Sequence, residues 1–102
     1  VIANAIVDNA ANGNNCGILF GSAAVLPAAG SGSLADNSID LGSSSTRWRN
    51  LYTTDLQLSN EGGKNDVDGT WGNYTIQEGE SDLFLINNRS GKKYKFNLTE
   101  VS

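Results

Sequence analysis

At 102 residues the chain has room for one small domain or two very small ones, which excludes a multidomain enzyme. Eleven carboxylates against seven Lys and Arg give a net charge of -4, a balance that argues against nucleic acid, because phosphate binding needs a basic stripe. There is no His, so the usual neutral-pH general base, the Ser-His and Cys-His nucleophile pairs and the commonest metal ligand are all missing.

Leu, Ile, Val and Phe keep the chain above the composition of obligate disorder, but a domain this short makes a thin core. No apolar run approaches the ~20 residues of a membrane span, and the start VIANAIVDNAANG has neither a basic leader nor a continuous apolar stretch. No membrane insertion and no signal peptide are therefore expected. Cys16 is the only cysteine, read as a small buried hydrophobe or an intermolecular partner.

Composition divides along the chain. All nine Ala, the single Pro and Cys16 fall in residues 1–35, whereas all seven Lys and Arg lie from Arg47 onward. Small residues let backbones approach closely but supply little apolar volume, so this segment either packs on another surface or another copy of itself, or is a flexible linker. Ile18, Leu19 and Phe20, then Val25 and Leu26, group around Gly21-Ser22 as a hairpin. Ser43, Ser44, Ser45 and Thr46 precede Arg47-Trp48-Arg49-Asn50, where a Ser cap predicts a single short helical turn. Residues 51–59 (LYTTDLQLS) alternate as a strand with Tyr52, Thr54, Leu56 and Leu58 on one face.

Two regions follow, 1–59 and 60–102. In the second, 71–77 is predicted to be a strand entered through Asp68-Gly69, and 82–87 with 94–98 a hairpin around Asn88-Arg89-Ser90-Gly91. Tyr94, Phe96 and Leu98 alternate with Lys93, Lys95 and Asn97, whereas Leu83, Phe84, Leu85 and Ile86 are apolar without alternation. A strand of the second kind is expected to be buried on both faces. Three strands cannot supply that cover, which predicts a neighbouring subunit.

Candidate chemistry is sparse. Glu78, Glu80 and Asp82 admit a glycosidase-like carboxylate set, but they surround Gly79 and read more simply as a solvated turn. Asp66-Val67-Asp68-Gly69 has the opening of a calcium loop without its later acidic positions, so a plain turn is expected. The glycines form neither a dinucleotide fingerprint nor a phosphate loop, and no cofactor or metal is expected. Asn73, Asn88 and Asn97 begin N-x-S/T triplets, uninformative in so Asn-rich a chain. Trp71 and Tyr74, three apart in the predicted strand and hence on opposite faces, are core residues or sugar-stacking receptor candidates.

Two stretches carry a resemblance. GILFG at 17–21, VLP at 25–27 and SIDLGSSSTRWRNLY at 38–52 are similar to a module of bacteriophage tail fibres, notably those of marine phages. VDGTWG at 67–72, IQEGE at 76–80 and DLFLINNRSGKKYKF at 82–96 resemble the carboxyl-terminal segments of such fibres. The strand patterns and the Ser cap predict an all-β chain with one short helical turn, and the resemblance implies a β-rich, intertwined homotrimeric fibre segment on the virion that contacts a host-surface glycan or protein receptor. It brings no catalytic residues, and the self-cleaving chaperone that ends related fibres has no counterpart before Ser102, so proteolysis is not expected; the start at Val1 suggests a piece of a longer fibre. Residues 1–59 then form the fibre module and 60–102 the tip. Trp48, Leu83, Leu85, Tyr94, Phe96 and Leu98 are the expected core and trimer-packing residues, with Trp71 and Tyr74 at the receptor. A tailspike carbohydrate-active enzyme and a capsid decoration or adaptor protein are the alternatives.

Overall fold

A computed structural model of the chain describes residues 5–9 and 15–102; the parts of the small-residue segment at 1–4 and 10–14 lie outside the described residues. Among the described residues the fold is all-β, with seven strands in two antiparallel sheets and no helix. The chain divides into two compact units, 1–49 and 50–102.

In the first unit β1 (Ala5–Asn9), β2 (Asn15–Phe20) and β3 (Val25–Ala29) form a meander in that order. The expected hairpin is present: Gly21 N–H donates to the Ala24 carbonyl at 2.8 Å, closing the turn, and Leu19 stands opposite Leu26. Register puts Ile6, Ile18, Phe20 and Val25 on one face, all exposed. Cys16 shares that face and is exposed on it, so the expectation of a buried thiol is corrected. On the other face Ala28 is fully buried, under the bridge from Leu34.

The helical turn predicted after Ser43 does not form. Thr46 N–H donates to Ser43 Oγ at 3.0 Å, as a cap would have it, but Ser43 N–H donates forward to the Thr46 carbonyl at 2.9 Å. A helix needs bonds from a later N–H to an earlier carbonyl, so this closure cannot propagate one. Gly42, at φ +91°, turns the chain in the left-handed region, and Trp48 folds back so that its Cδ1 would lie 3.5 Å from a Cβ at Gly42.

The second unit is a four-stranded meander of β4 (Leu56–Ser59), β5 (Asn73–Glu78), β6 (Leu83–Asn87) and β7 (Lys93–Lys95). The strand expected over 51–59 is shorter at its start, where β5 turns away at Gly79 and leaves residues 51–53 without an opposing strand; it also belongs with the strands that follow it, to which it is paired. One register position runs across the whole sheet as Leu56, Ile76, Leu85 and Tyr94. Leu58, Tyr74 and Leu83 share this face by alternation, and Phe96 N–H donates to the Leu83 carbonyl at 3.0 Å, carrying the pairing past β7.

Thr75, on the opposite face, is the buried polar side chain; its hydroxyl donates to Gln57 Oε1 at 2.6 Å and accepts from Asn88 Nδ2 at 2.9 Å. β6 is apolar on both faces, as its composition predicted, yet within the chain Leu83, Leu85 and Ile86 are only half-buried and Phe84 is exposed. Among the described residues, strands in each unit contact only strands of their own sheet, so neither apolar face is covered by a second sheet of its own unit.

Candidate functional site

The β6–β7 hairpin sets the first wall of the site. Its loop is the expected Asn88-Arg89-Ser90-Gly91, closed by Asn87 N–H to the Lys92 carbonyl at 2.9 Å and by Gly91 N–H to the Asn87 carbonyl at 2.8 Å. Gly91 takes φ +77°, where a side chain would be strained. Asn87 Oδ1 accepts from the backbone N–H groups of Arg89 at 3.0 Å and Ser90 at 3.3 Å, an Asx arrangement that presents the Arg89 side chain from the turn.

The second wall is the segment that enters β5. Asn60 Oδ1 accepts Gly72 N–H at 2.8 Å, fixing the Trp71-Gly72 backbone before the strand begins. Arg89 reaches across from the hairpin: its guanidinium carbon lies 3.6 Å from the centre of the Trp71 ring, and Nη1 donates to the Trp71 carbonyl at 2.9 Å. Tyr74 closes the third side opposite Asn87, with Asn87 Nδ2 donating to its hydroxyl at 3.4 Å. A Cβ at Gly72 would come within 2.8 Å of Tyr74 Cε2, so glycine there is what lets the ring lie against the backbone. Together Trp71, Gly72, Tyr74, Asn87, Arg89 and Ser90 enclose an open hollow of about 300 Å³, at the small end for a ligand site.

Trp71 and Tyr74 therefore line one hollow, against the expectation that they face opposite ways. Alternation holds only inside a strand, and β5 begins at Asn73, after Gly72 has broken the period. Arg89 and Asn87 are the members that sequence reasoning missed. A signal for Arg89 was present: Arg89, Lys92, Lys93 and Lys95 stand together with no carboxylate between Asp82 and Glu100.

The remaining candidates are dispersed. Leu83, Leu85, Tyr94 and Phe96 come together on the face that carries the cross-sheet row. Leu98 lies beyond β7 and is 73% exposed, and Trp48, in the first unit, is 69% exposed. Glu78, Glu80 and Asp82 are exposed around the β5–β6 turn, which Gly79 N–H closes on the Asp82 carbonyl at 2.8 Å. A hollow beside that turn takes in Asp82 but neither glutamate.

The Asp66–Asp68 stretch is stitched as a turn. Asn65 Oδ1 accepts from Val67 and Asp68 N–H, while Asp68 Oδ1 accepts from Asn65 Nδ2 at 2.7 Å and from the Thr70 hydroxyl at 2.7 Å and N–H at 3.1 Å. The Asn65 amide, then Thr70, hold the Asp68 carboxyl below its ordinary range. Among the described residues no cluster of three or more Asp, Glu or Cys is arranged to hold a metal ion, and no helix is long and apolar enough to cross a membrane.

Compared with protein-family models, curated proteins and solved structures, the chain matches none.

Proposed function

We propose that the chain is a distal segment of a phage tail fibre, a non-enzymatic virion component that assembles as a homotrimer and contributes to attachment at the host surface. The observation that carries this reading is the row Leu56, Ile76, Leu85 and Tyr94, which crosses all four strands of the second sheet with no second sheet of its own unit packed on it. Leu56 is 38% exposed and Tyr94 48% exposed. Removing such half-open side chains from water contributes on the order of 1 kcal/mol each, and a sheet bare on its apolar face is hard to keep soluble alone.

The first sheet repeats the pattern with Ile6, Ile18, Phe20 and Val25. Beside it Ile18, Leu26, Pro27, Ile39 and Leu41 line an apolar hollow of about 510 Å³. Sister copies are the economical cover, because closure about an axis lets each chain shield the next. The number three, the virion location and the attachment role follow from the likeness of the 17–52 and 67–96 motifs to phage fibres. The Trp71–Tyr74–Arg89 hollow is the receptor contact, since aromatic side chains beside hydrogen-bonding groups suit sugar rings.

Light scattering on the purified chain tests the assembly, with a mass of three chains expected at micromolar concentration. A single-chain mass overturns it. Antibody labelling of virions then tests location, and label on the capsid instead of the tail appendage overturns the fibre assignment.

A further inference from the structure

We infer that the hollow between Trp71, Tyr74 and Arg89 selects an acidic sugar, a hexuronate-type residue whose carboxylate pairs with the open edge of the Arg89 guanidinium. This rests on the attachment reading and narrows it from surface glycans in general to carboxylate-bearing ones.

Three features converge on a carboxylate. Arg89 is held flat on Trp71 and spends one Nη1 donor on the Trp71 carbonyl, which leaves its Nε–Nη2 edge without a partner among the described residues. That edge offers two parallel N–H donors in the fork that matches a carboxylate, and the stack has already removed much of the rotamer freedom that an unpinned arginine would lose on binding. No carboxylate of the chain is among the residues lining the hollow, so the charge there is uncompensated.

The surroundings have the same sign. Although the chain is acidic overall, Arg89 and Lys92 stand in and just after the turn at this end of the sheet with no acid between Asp82 and Glu100, whereas Lys93 and Lys95 lie on the opposite face of β7. The other walls fit a sugar ring: aromatic surface from Trp71 and Tyr74, and a pinned amide at Asn87. About 300 Å³ admits one or two sugar residues and no folded partner.

Calorimetric titration with tetragalacturonate and with its fully methyl-esterified form removes the ligand's charge, adding one methyl group at each carboxyl and leaving the sugar rings unaltered. The acid form is expected to bind at least about tenfold more tightly, with the difference shrinking as salt rises. Arg89→Gln should reduce the acid to the level of the ester. Arg89→Lys, which keeps the charge without the flat fork, should lose most of the preference. Lys93→Gln, outside the hollow, should retain it. Equal binding of acid and ester, no binding of either, full preference in Arg89→Lys, or a Lys93→Gln loss as large as that of Arg89→Gln would each overturn the inference. Fluorescent protein on host cells separates the two readings: cell binding competed equally by acid and ester leaves attachment standing and removes only the carboxylate claim, whereas no cell binding beside an intact acid preference removes attachment.

Discussion

Arg89 is joined to Trp71 twice, by a guanidinium stacked 3.6 Å from the indole centre and by a 2.9 Å hydrogen bond from Nη1 to the Trp71 carbonyl. The two residues come from different turns, one leaving β6 and one entering β5, so a single side chain clamps both ends of the hollow. The clamp depends on backbone already fixed by Asn60 and Asn87. Arg89 is thereby a positioned group and not a loose surface charge.

Arg89→Ala removes the stack and the hydrogen bond from an exposed site. The expected loss is about 1 kcal/mol in urea unfolding, the scale of a cation–π contact in water. Trp71 fluorescence should shift to the red as water reaches the uncovered ring. An unchanged emission spectrum would show that the stack does not persist in solution.

Much of the strand plan was legible because turn residues announce it. Gly21-Ser22 and Asn88-Arg89-Ser90-Gly91 sit where hairpins close, and β6 reads as apolar on both faces because it is. The site was legible only in part. Period-2 alternation puts Trp71 and Tyr74 on opposite faces only if the strand runs through Gly72, and β5 begins at Asn73. Ser43 has the chemistry of a helix cap, but whether a helix follows depends on which backbone groups bond next, and Ser43 itself bonds forward to Thr46. The asparagines were the least legible, since a side chain that mimics a backbone turn declares itself only once its acceptors are in place: Asn60, Asn65, Asn87 and Asn88 each tie a loop to the sheet or to itself.

Asn88 shows how much rests on such stitching. Its Nδ2 donates to Asn73 Oδ1 at 3.0 Å and to the buried Thr75 hydroxyl at 2.9 Å. Asn88→Ala is expected to cost about 1–3 kcal/mol in denaturant unfolding, because it leaves Thr75 with one partner fewer in a place water reaches poorly. The same substitution at Asn97, exposed beyond β7 and outside the left-handed region, is the control and should change little. Equal effects at the two positions would contradict the stitching account.

The 65–70 loop should answer to acid. Hydrogen bonds from Asn65 and then Thr70 depress the Asp68 carboxyl in the folded chain, so the stability they contribute is fully present above the ordinary aspartate value of 3.8 and is lost as pH falls through the lower folded value. Amide signals of Val67 and Thr70, followed by NMR from pH 6 downward, should hold steady and then move together below about pH 3.8. In Asn65→Ala the transition should shift upward, toward the ordinary value. A transition that begins well above that value in the native chain would mean that Asp68 is not stabilised by these bonds.

The strongest demand on the assembly reading is made by Phe96. Its backbone pairs with Leu83, which places the ring at the end of the face carrying Leu56, Ile76, Leu85 and Tyr94. In one chain the ring is half-buried, and truncating it there would remove only part of a full core contribution. If three copies close over this face, the ring is core in each of them, and Phe96→Ala should cost about 3–5 kcal/mol per chain. The loss is then shared between folding and association, so light scattering should show the mass falling toward one chain at a concentration where the native protein stays assembled. A variant with the native mass and the native unfolding midpoint would show that this face is covered by something other than sister chains.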